Sequence, residues 1–213
     1  AGQASGNIDV SQLLADALPN YLLVVVGLSL LIMIVVFRSI LVPILATGGY
    51  VLSLFAALGT VTAVYQWGWL GEVFGVHDPE PVISFAPIII TGVLFGLAMD
   101  YQLFLVTGMR EAYVHGQPAR TAVVTGLRHG RAVVIAAAII MAAVFGGFIF
   151  SHLPMVRPFG LGLAAGVLFD AFVVRLLIVP SVMHLLGEKA WWIPRWLDRI
   201  LPHVDVEGSS LER

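Results

Sequence analysis

The chain contains no cysteine, and only 11% of its 213 residues are charged. The first absence excludes disulfide frameworks, thiolate zinc sites and cysteine nucleophiles within the chain, and it is compatible with either redox compartment. The second, set beside a hydrophobic content of 59% and a mean hydropathy of +0.97, takes the chain out of the soluble range. There is no basic excess either. Lys and Arg number 11 against 13 Asp and Glu, for a net charge of -2, so no nucleic-acid partner is expected, because nothing is left over to neutralise phosphate. The stretch from Ala1 to Pro19 is polar and mildly acidic and lacks the basic region and short apolar core of a signal peptide.

What the chain has instead is long apolar runs. A span needs roughly 20 mostly apolar residues to cross a hydrocarbon core of about 30 Å. Five runs of that kind, bounded by charges, Gly, Pro or Trp, cover approximately 21–37, 41–65, 85–107, 133–150 and 158–186. The expected fold is therefore all-α, a polytopic membrane bundle of five transmembrane helices occupying 21–186, with 1–20 before it and a cytoplasmic interfacial tail, 187–213, after it. Arg38, Ser39 and Ile40 alone join the first two runs, which predicts an antiparallel hairpin.

Orientation follows from the basic residues, which stay on the cytoplasmic side of a span. With the N-terminus outside, Arg38, Arg110, Arg120, Arg128, Arg131, Lys189, Arg195, Arg199 and Arg213 lie inside, Arg157 lies at the outer edge and Arg175 falls within the last span. The outer segments carry Asp9, Asp16, Glu72, Asp78 and Glu80. Between the third and fourth spans, Tyr113 to Arg131 reads either as a short helix on the inner leaflet or as a solvated loop. Trp191, Trp192 and Trp196 read as an interfacial belt after the last span, with Trp67 and Trp69 as their outer counterparts. His77 with Asp78 and Glu80 is not read as a metal site, because Pro79 and Pro81 leave little freedom for ligands to converge. The small residues of the fourth span, Ala136, Ala137, Ala138, Ala142, Ala143, Gly146 and Gly147, predict close helix packing and no chemistry.

Two acids lie where acids are expensive. Asp100 and Asp170 each fall near mid-membrane, and an ionisable residue there marks a functional site by default. Gly92, Gly96 and Asp100 are spaced four apart, as are Gly162, Gly166 and Asp170. Each acid thus ends a glycine strip on one helix face, where a neighbouring backbone can approach closely. Partial desolvation at such a contact suits a carboxylate to gain and lose a proton, the chemistry of a relay. Tyr101 adds a hydroxyl beside Asp100. Arg175 follows Asp170 by five residues, about 140° around an α-helix, which makes a poor same-helix pair. It is expected to reach an acid on another helix, such as Asp100, or to snorkel to the cytoplasmic interface.

These residues also carry a family resemblance. The run Gly96-Leu97-Ala98-Met99-Asp100-Tyr101, continuing through Gln102-Leu103-Phe104-Leu105-Val106 to Met109-Arg110-Glu111-Ala112, resembles the Asp-Tyr helix of the MMPL (mycobacterial membrane protein large) branch of the RND superfamily. Gly160-Leu161-Gly162-Leu163-Ala164, Gly166 to Arg175 and Val179-Pro180 resemble its twelfth helix; Val36 to Ser39 with Leu41-Val42-Pro43 resemble its eighth-to-ninth junction. The resemblance implies a proton-driven exporter of lipids or hydrophobic compounds in a bacterial inner membrane, with the proton gradient as energy source and no cofactor. The chain would supply helices eight to twelve, a five-helix unit like a sterol-sensing domain. Ala1 to Pro19 would be the trailing edge of an extracytoplasmic domain, and the N-terminal half of the same transporter would be the partner. Carried over by position, Asp100 and Tyr101 match the family's proton relay and Asp170 and Arg175 its electrostatic pair. Gly108 stands where members often have a second Arg, and the matching Asp-Tyr pair belongs to the other half.

Two further readings stay open on the sequence. A lipid-sensing or assembly module would use the same helices without moving protons. An intramembrane aspartyl protease would use Asp100 and Asp170 as its dyad, although here the order is Asp-Tyr, and Gly160-Leu161-Gly162 ends eight residues before Asp170.

Overall fold

A computed structural model describes residues 19–20, 23–24, 26–75 and 85–201. Among them every regular element is helical. An apolar helix α1 (Val26–Phe37) leads into α2 (Leu41–Val61), which widens into a π-helical turn at Thr62–Gln66. A short α3 (Gly71–Phe74) precedes α4 (Ala86–Val114) and α5 (Ala119–Ile149). The last long rod starts as α6 (Arg157–Phe169), becomes π-helical over Asp170–Ile178, returns to α geometry as α7 (Val179–Leu186) and tightens into 3-10 turns at Gly187–Trp191. A final short helix, α8, covers Arg195–Ile200. Prolines sit at the helix starts, where a missing N–H costs nothing: Pro43 in α2, Pro87 in α4, Pro158 in α6.

Four of these rods are long and apolar enough to cross a membrane: Leu41–Gln66, Ala86–Val114, Ala119–Ile149 and Arg157–Trp191. The first expected span, 21–37, is described only in part, with the helical run Val26–Phe37 as its continuous portion. Residues 1–18, 21–22, 25, 76–84 and 202–213 lie outside the described residues, and Asp9, Asp16, His77, Asp78, Glu80 and Arg213 with them.

Two expectations about the inner segments need correction. Tyr113 to Arg131 is neither a separate surface helix nor a loop: after a turn at Gly116, a single helix of 31 residues runs from Ala119 to Ile149. Arg120, Arg128, His129 and Arg131 do not break it, because charge alone does not disfavour helix and no proline intervenes. At 1.5 Å per residue it is roughly 46 Å long, so its charged first half can stand clear of a hydrocarbon core of about 30 Å. Of the small residues of its second half, Ala138 is buried in the core, but most are not closely packed. Gly146 and Gly147 have no neighbour that an added Cβ would touch, and Ala136 and Ala143 are exposed. Close approach occurs elsewhere on α5. A Cβ at Gly126 would meet the Met109 backbone nitrogen at 2.5 Å, and one at Gly160 of α6 would meet the Phe145 carbonyl at 2.7 Å.

The core lies where α2, α4 and the last rod converge, with the first half of α5 against it. Tyr50 ties α2 to α4 by donating to the Thr91 carbonyl at 3.1 Å and setting its ring edge-on to Phe95. Trp191 belongs to this core and not to an interfacial belt: it is 6% exposed, stacked on Tyr113 and covered by Arg110. Trp192, Trp196, Trp67 and Trp69 are exposed.

Candidate functional site: a buried ion pair beside the central acid of α4

The π-helical stretch decides the geometry of the site. In an α-helix, residues five apart diverge by about 140°. The i→i+5 hydrogen bonding of a π-helix brings the fifth residue back nearly over the first. Asp170 opens this stretch and Arg175 lies within it. The two therefore pair on their own helix, Arg175 Nε donating to Asp170 Oδ2, with both side chains buried. This corrects the expectation that Arg175 reaches a carboxylate on another helix or snorkels outward. It is 2% exposed.

The pair also bridges to two neighbouring helices. Ser53 of α2 lies with its hydroxyl 3.1 Å from Asp170 Oδ1 and 3.0 Å from the Gly49 carbonyl. Arg175 Nη2 donates to the Ala98 carbonyl of α4, and its guanidinium carbon stands 5.7 Å from the centre of the Tyr101 ring. Small residues make room. A Cβ at Gly49 would run into Val174, one at Gly162 would meet Val61 at 2.8 Å and Ile90 at 2.9 Å, and one at Gly166 would meet Leu94 at 2.9 Å and Ala57 at 3.0 Å.

Asp100 is differently placed. It lies fourteen residues from either end of the 29-residue α4, at the helix midpoint, and its side chain is exposed. It makes no hydrogen bond or ion pair among the described residues. The strip leading to it is open: an added Cβ at Gly96 would meet nothing within 4 Å, and Gly92 is half-buried. The two glycine strips, alike in sequence, thus differ in kind. That of Gly162 and Gly166 is filled by α2 and α4, and that of Gly96 faces outward.

The structure therefore brings Asp170, Arg175 and Tyr101 together and leaves Asp100, next to Tyr101 in sequence, turned to a different and exposed face of α4. An aspartyl dyad is not formed, since Asp170 is engaged by Arg175 and Ser53 while Asp100 lies on that exposed face. Among the described residues no cluster of His, Asp and Glu could hold a metal ion. Ser53, Gly49 and the Ala98 carbonyl were not indicated by the sequence. A lone Ser in an apolar helix has no distinguishing pattern, and a main-chain carbonyl has none at all.

Apolar spanning helices enclosing a buried Asp–Arg pair define a multi-pass membrane protein with polar machinery inside its bundle. Comparison with known proteins gives the family: residues 1–204 match the model of the MMPL family, and the chain belongs to it. This is a family of membrane transporters, not of enzymes. The chain is 46% identical over 212 residues to "Membrane protein YdfJ" of Bacillus subtilis, covering 100% of this chain and 29% of that protein. It is 40% identical over 188 residues to "Mycolic acid-containing lipids exporter MmpL11" of Mycolicibacterium smegmatis, covering 87% of this chain and 20% of the relative. To "Trehalose monomycolate exporter MmpL3" of Mycobacterium tuberculosis the identity is 37% over 191 residues, 89% of this chain and 20% of the relative. The chain thus spans 20–29% of the length of these relatives.

Proposed function

We propose that the chain is the C-terminal membrane half, helices eight to twelve, of a proton-driven exporter of lipids or other hydrophobic compounds. It would lie in a bacterial inner membrane with its N-terminal side outside and its C-terminus in the cytoplasm. Asp100 and Tyr101 act as the proton relay, and Asp170 with Arg175 holds the electrostatic balance beside them. The observation that carries this reading is the exposure of Asp100 at the midpoint of α4. A carboxylate turned toward lipid at that depth is costly, so this face calls for a second protein surface or a water path, which the other half of the transporter would supply. The open Gly96 strip on the same face allows another helix to approach closely. The cationic Arg175, stacked over Tyr101 and bonded to Ala98, gives the relay helix a fixed positive charge on its inner side.

The test uses the full-length transporter. Asp100→Asn keeps the size and most hydrogen-bonding capacity of the side chain but cannot exchange a proton. Export of a fluorescent lipid is expected to stop while thermal unfolding in detergent stays unchanged. Export at the normal rate by this variant would sink the proposal. The reading as a lipid-sensing or assembly module draws on the Asp170–Arg175 pair itself, which could serve packing alone. Proton flux in vesicles reconstituted with the full-length protein separates the two, since such a module would carry none.

A further inference from the structure

Four buried donors have no acceptor among the described residues: the Tyr65 hydroxyl, Trp191 Nε1, and two that lie together in the middle of the bundle, Nη1 of Arg175 and Nε2 of Gln102, each of the last two on a side chain that is 2% exposed. Buried donors are nearly always satisfied, so a pair of exceptions in one region calls for an account. The two lie close by helix geometry. Arg175 Nη2 rests on the Ala98 carbonyl, and Gln102 follows Ala98 by one turn of α4, about 6 Å along the axis on the same face. Side chains on a helix lean toward its N-terminus, which carries the Gln102 amide back over the turn where the guanidinium sits. Tyr101, three residues after Ala98, already touches that guanidinium from the same turn.

We propose that Gln102 is a positioning residue for Arg175, the standby acceptor that the guanidinium takes up when Asp170 binds a proton. The inference rests on the proton-coupled reading above. In the state described, Asp170 is the carboxylate partner of Arg175, and neither Arg175 Nη1 nor Gln102 Nε2 has an acceptor. When a proton adds to an oxygen of Asp170, that carboxyl loses its charge and becomes a weaker acceptor, while Arg175 keeps its own proton and its positive charge. Arg175 Nη1 then donates to Gln102 Oε1, and the guanidinium shifts its hold from its own helix toward α4. Protonation of Asp170 would thus tighten Arg175 onto the helix that carries Asp100 and Tyr101. Few other charges compete around this group. On α2 the facing polar group is Ser53, on α4 the ionisable neighbours are Tyr101 and, on an exposed face, Asp100, and on the last rod they are Asp170 and Arg175 themselves. The ionisable residues of α5, Arg120, Arg128, His129 and Arg131, all precede its buried Val134 and Ala138.

The experiment is infrared difference spectroscopy on the full-length transporter, titrating the protonated-carboxyl band that disappears in Asp170→Asn. A neutral acceptor for Arg175 stabilises protonated Asp170, so Gln102→Leu, which removes it, is expected to move the band's midpoint to lower pH. Gln102→Glu, which offers Arg175 a competing carboxylate, is expected to move it to higher pH. A purely structural role for Gln102 would not shift the two variants in opposite directions, and Gln102→Asn serves as the control for folding. If the band titrates in the unaltered protein and neither variant moves it, or both move it the same way, the role of Gln102 is overturned and the proton-coupled reading stands. If no Asp170 band titrates at all, the role of Gln102 is overturned, while the relay reading, which rests on Asp100, stands or falls by export in Asp100→Asn.

Discussion

Arg175 holds three different partners at once: the Asp170 carboxylate on its own helix, the Ala98 carbonyl and the face of Tyr101. A charge so enclosed is tolerated because it is paired, and removal of one partner strands the other. Arg175→Leu leaves Asp170 buried and unpaired, and Asp170→Leu does the same to Arg175; each should lower the stability of the full-length protein by about 3–5 kcal/mol. Converting both residues, Asp170→Leu with Arg175→Met, removes the buried charges together and should recover most of that loss. Thermal unfolding in detergent measures both. Additive losses in the double variant would show that the pair's stability does not lie in mutual compensation. Both residues were visible in the sequence, since an ionisable side chain in an apolar run stands out. The family resemblance named them as a pair, but helix geometry argued against it, because a spacing of five is unfavourable on an α-helix and only the π-helical turn makes it favourable. Ser53 escaped notice for a related reason: a helical Ser ordinarily satisfies its hydroxyl on the carbonyl four residues back, and Ser53 sits within reach of that bond too.

At the scale of elements, the glycines sort the helix faces into those already filled and those still open. Gly49→Ala would drive a methyl into Val174, and Gly126→Ala would press one against the Met109 backbone. Overpacking of this kind costs about 1–3 kcal/mol, with the Gly126 variant toward the upper end because a backbone yields less readily than a side chain. Adding Val174→Ala should relieve the first variant and leave the second untouched, as thermal unfolding of the four proteins will test. Gly96→Ala and Gly146→Ala meet no neighbour and should leave the packing of this bundle unchanged. In the sequence the strips of Gly92–Gly96 and Gly162–Gly166 were indistinguishable, since spacing reports only that residues share a face and not what covers it. The same limit applies to α5. Its alanines and glycines suggested a close contact, yet the approach is made at Gly126 and Gly160, where the partner backbone comes from Met109 and Phe145. The helical class itself was legible throughout, because long apolar runs leave the backbone no other way to satisfy its hydrogen bonds in lipid.

Across the whole molecule, side-chain contacts gather the turns into two sets. Arg38, in a left-handed backbone conformation between α1 and α2, donates to the Asp198 carboxylate at 2.5 Å and to its carbonyl at 2.8 Å, while Ser39 donates to the Ala190 carbonyl at 2.6 Å. Tyr113 at the end of α4 donates to Glu188 at 2.7 Å and stacks on Trp191. These bonds bring the α1–α2 junction, the end of α4 and the segment after α7 to one end of the bundle. At the other end Phe85 stacks on Phe159, Arg157 Nε donates to the Ser151 carbonyl at 2.8 Å, and Gly75 lies beside the Arg157 guanidinium. The first end carries Arg38, Arg110, Arg120, Lys189, Arg195 and Arg199, and of the described Lys and Arg residues at the turns only Arg157 stands at the second. Basic flanks are retained in the cytoplasm, so the first end should face inward. Single cysteines read this directly, since the segment has none of its own to interfere. Thr121→Cys, exposed near the start of α5, should react with a membrane-impermeant maleimide only after cells are permeabilised. Glu72→Cys, exposed in α3, should react in intact cells, or in spheroplasts where an outer envelope blocks the reagent. Labelling of Thr121→Cys from outside, with Glu72→Cys protected, would invert the topology and place the Trp191-anchored end on the outer face.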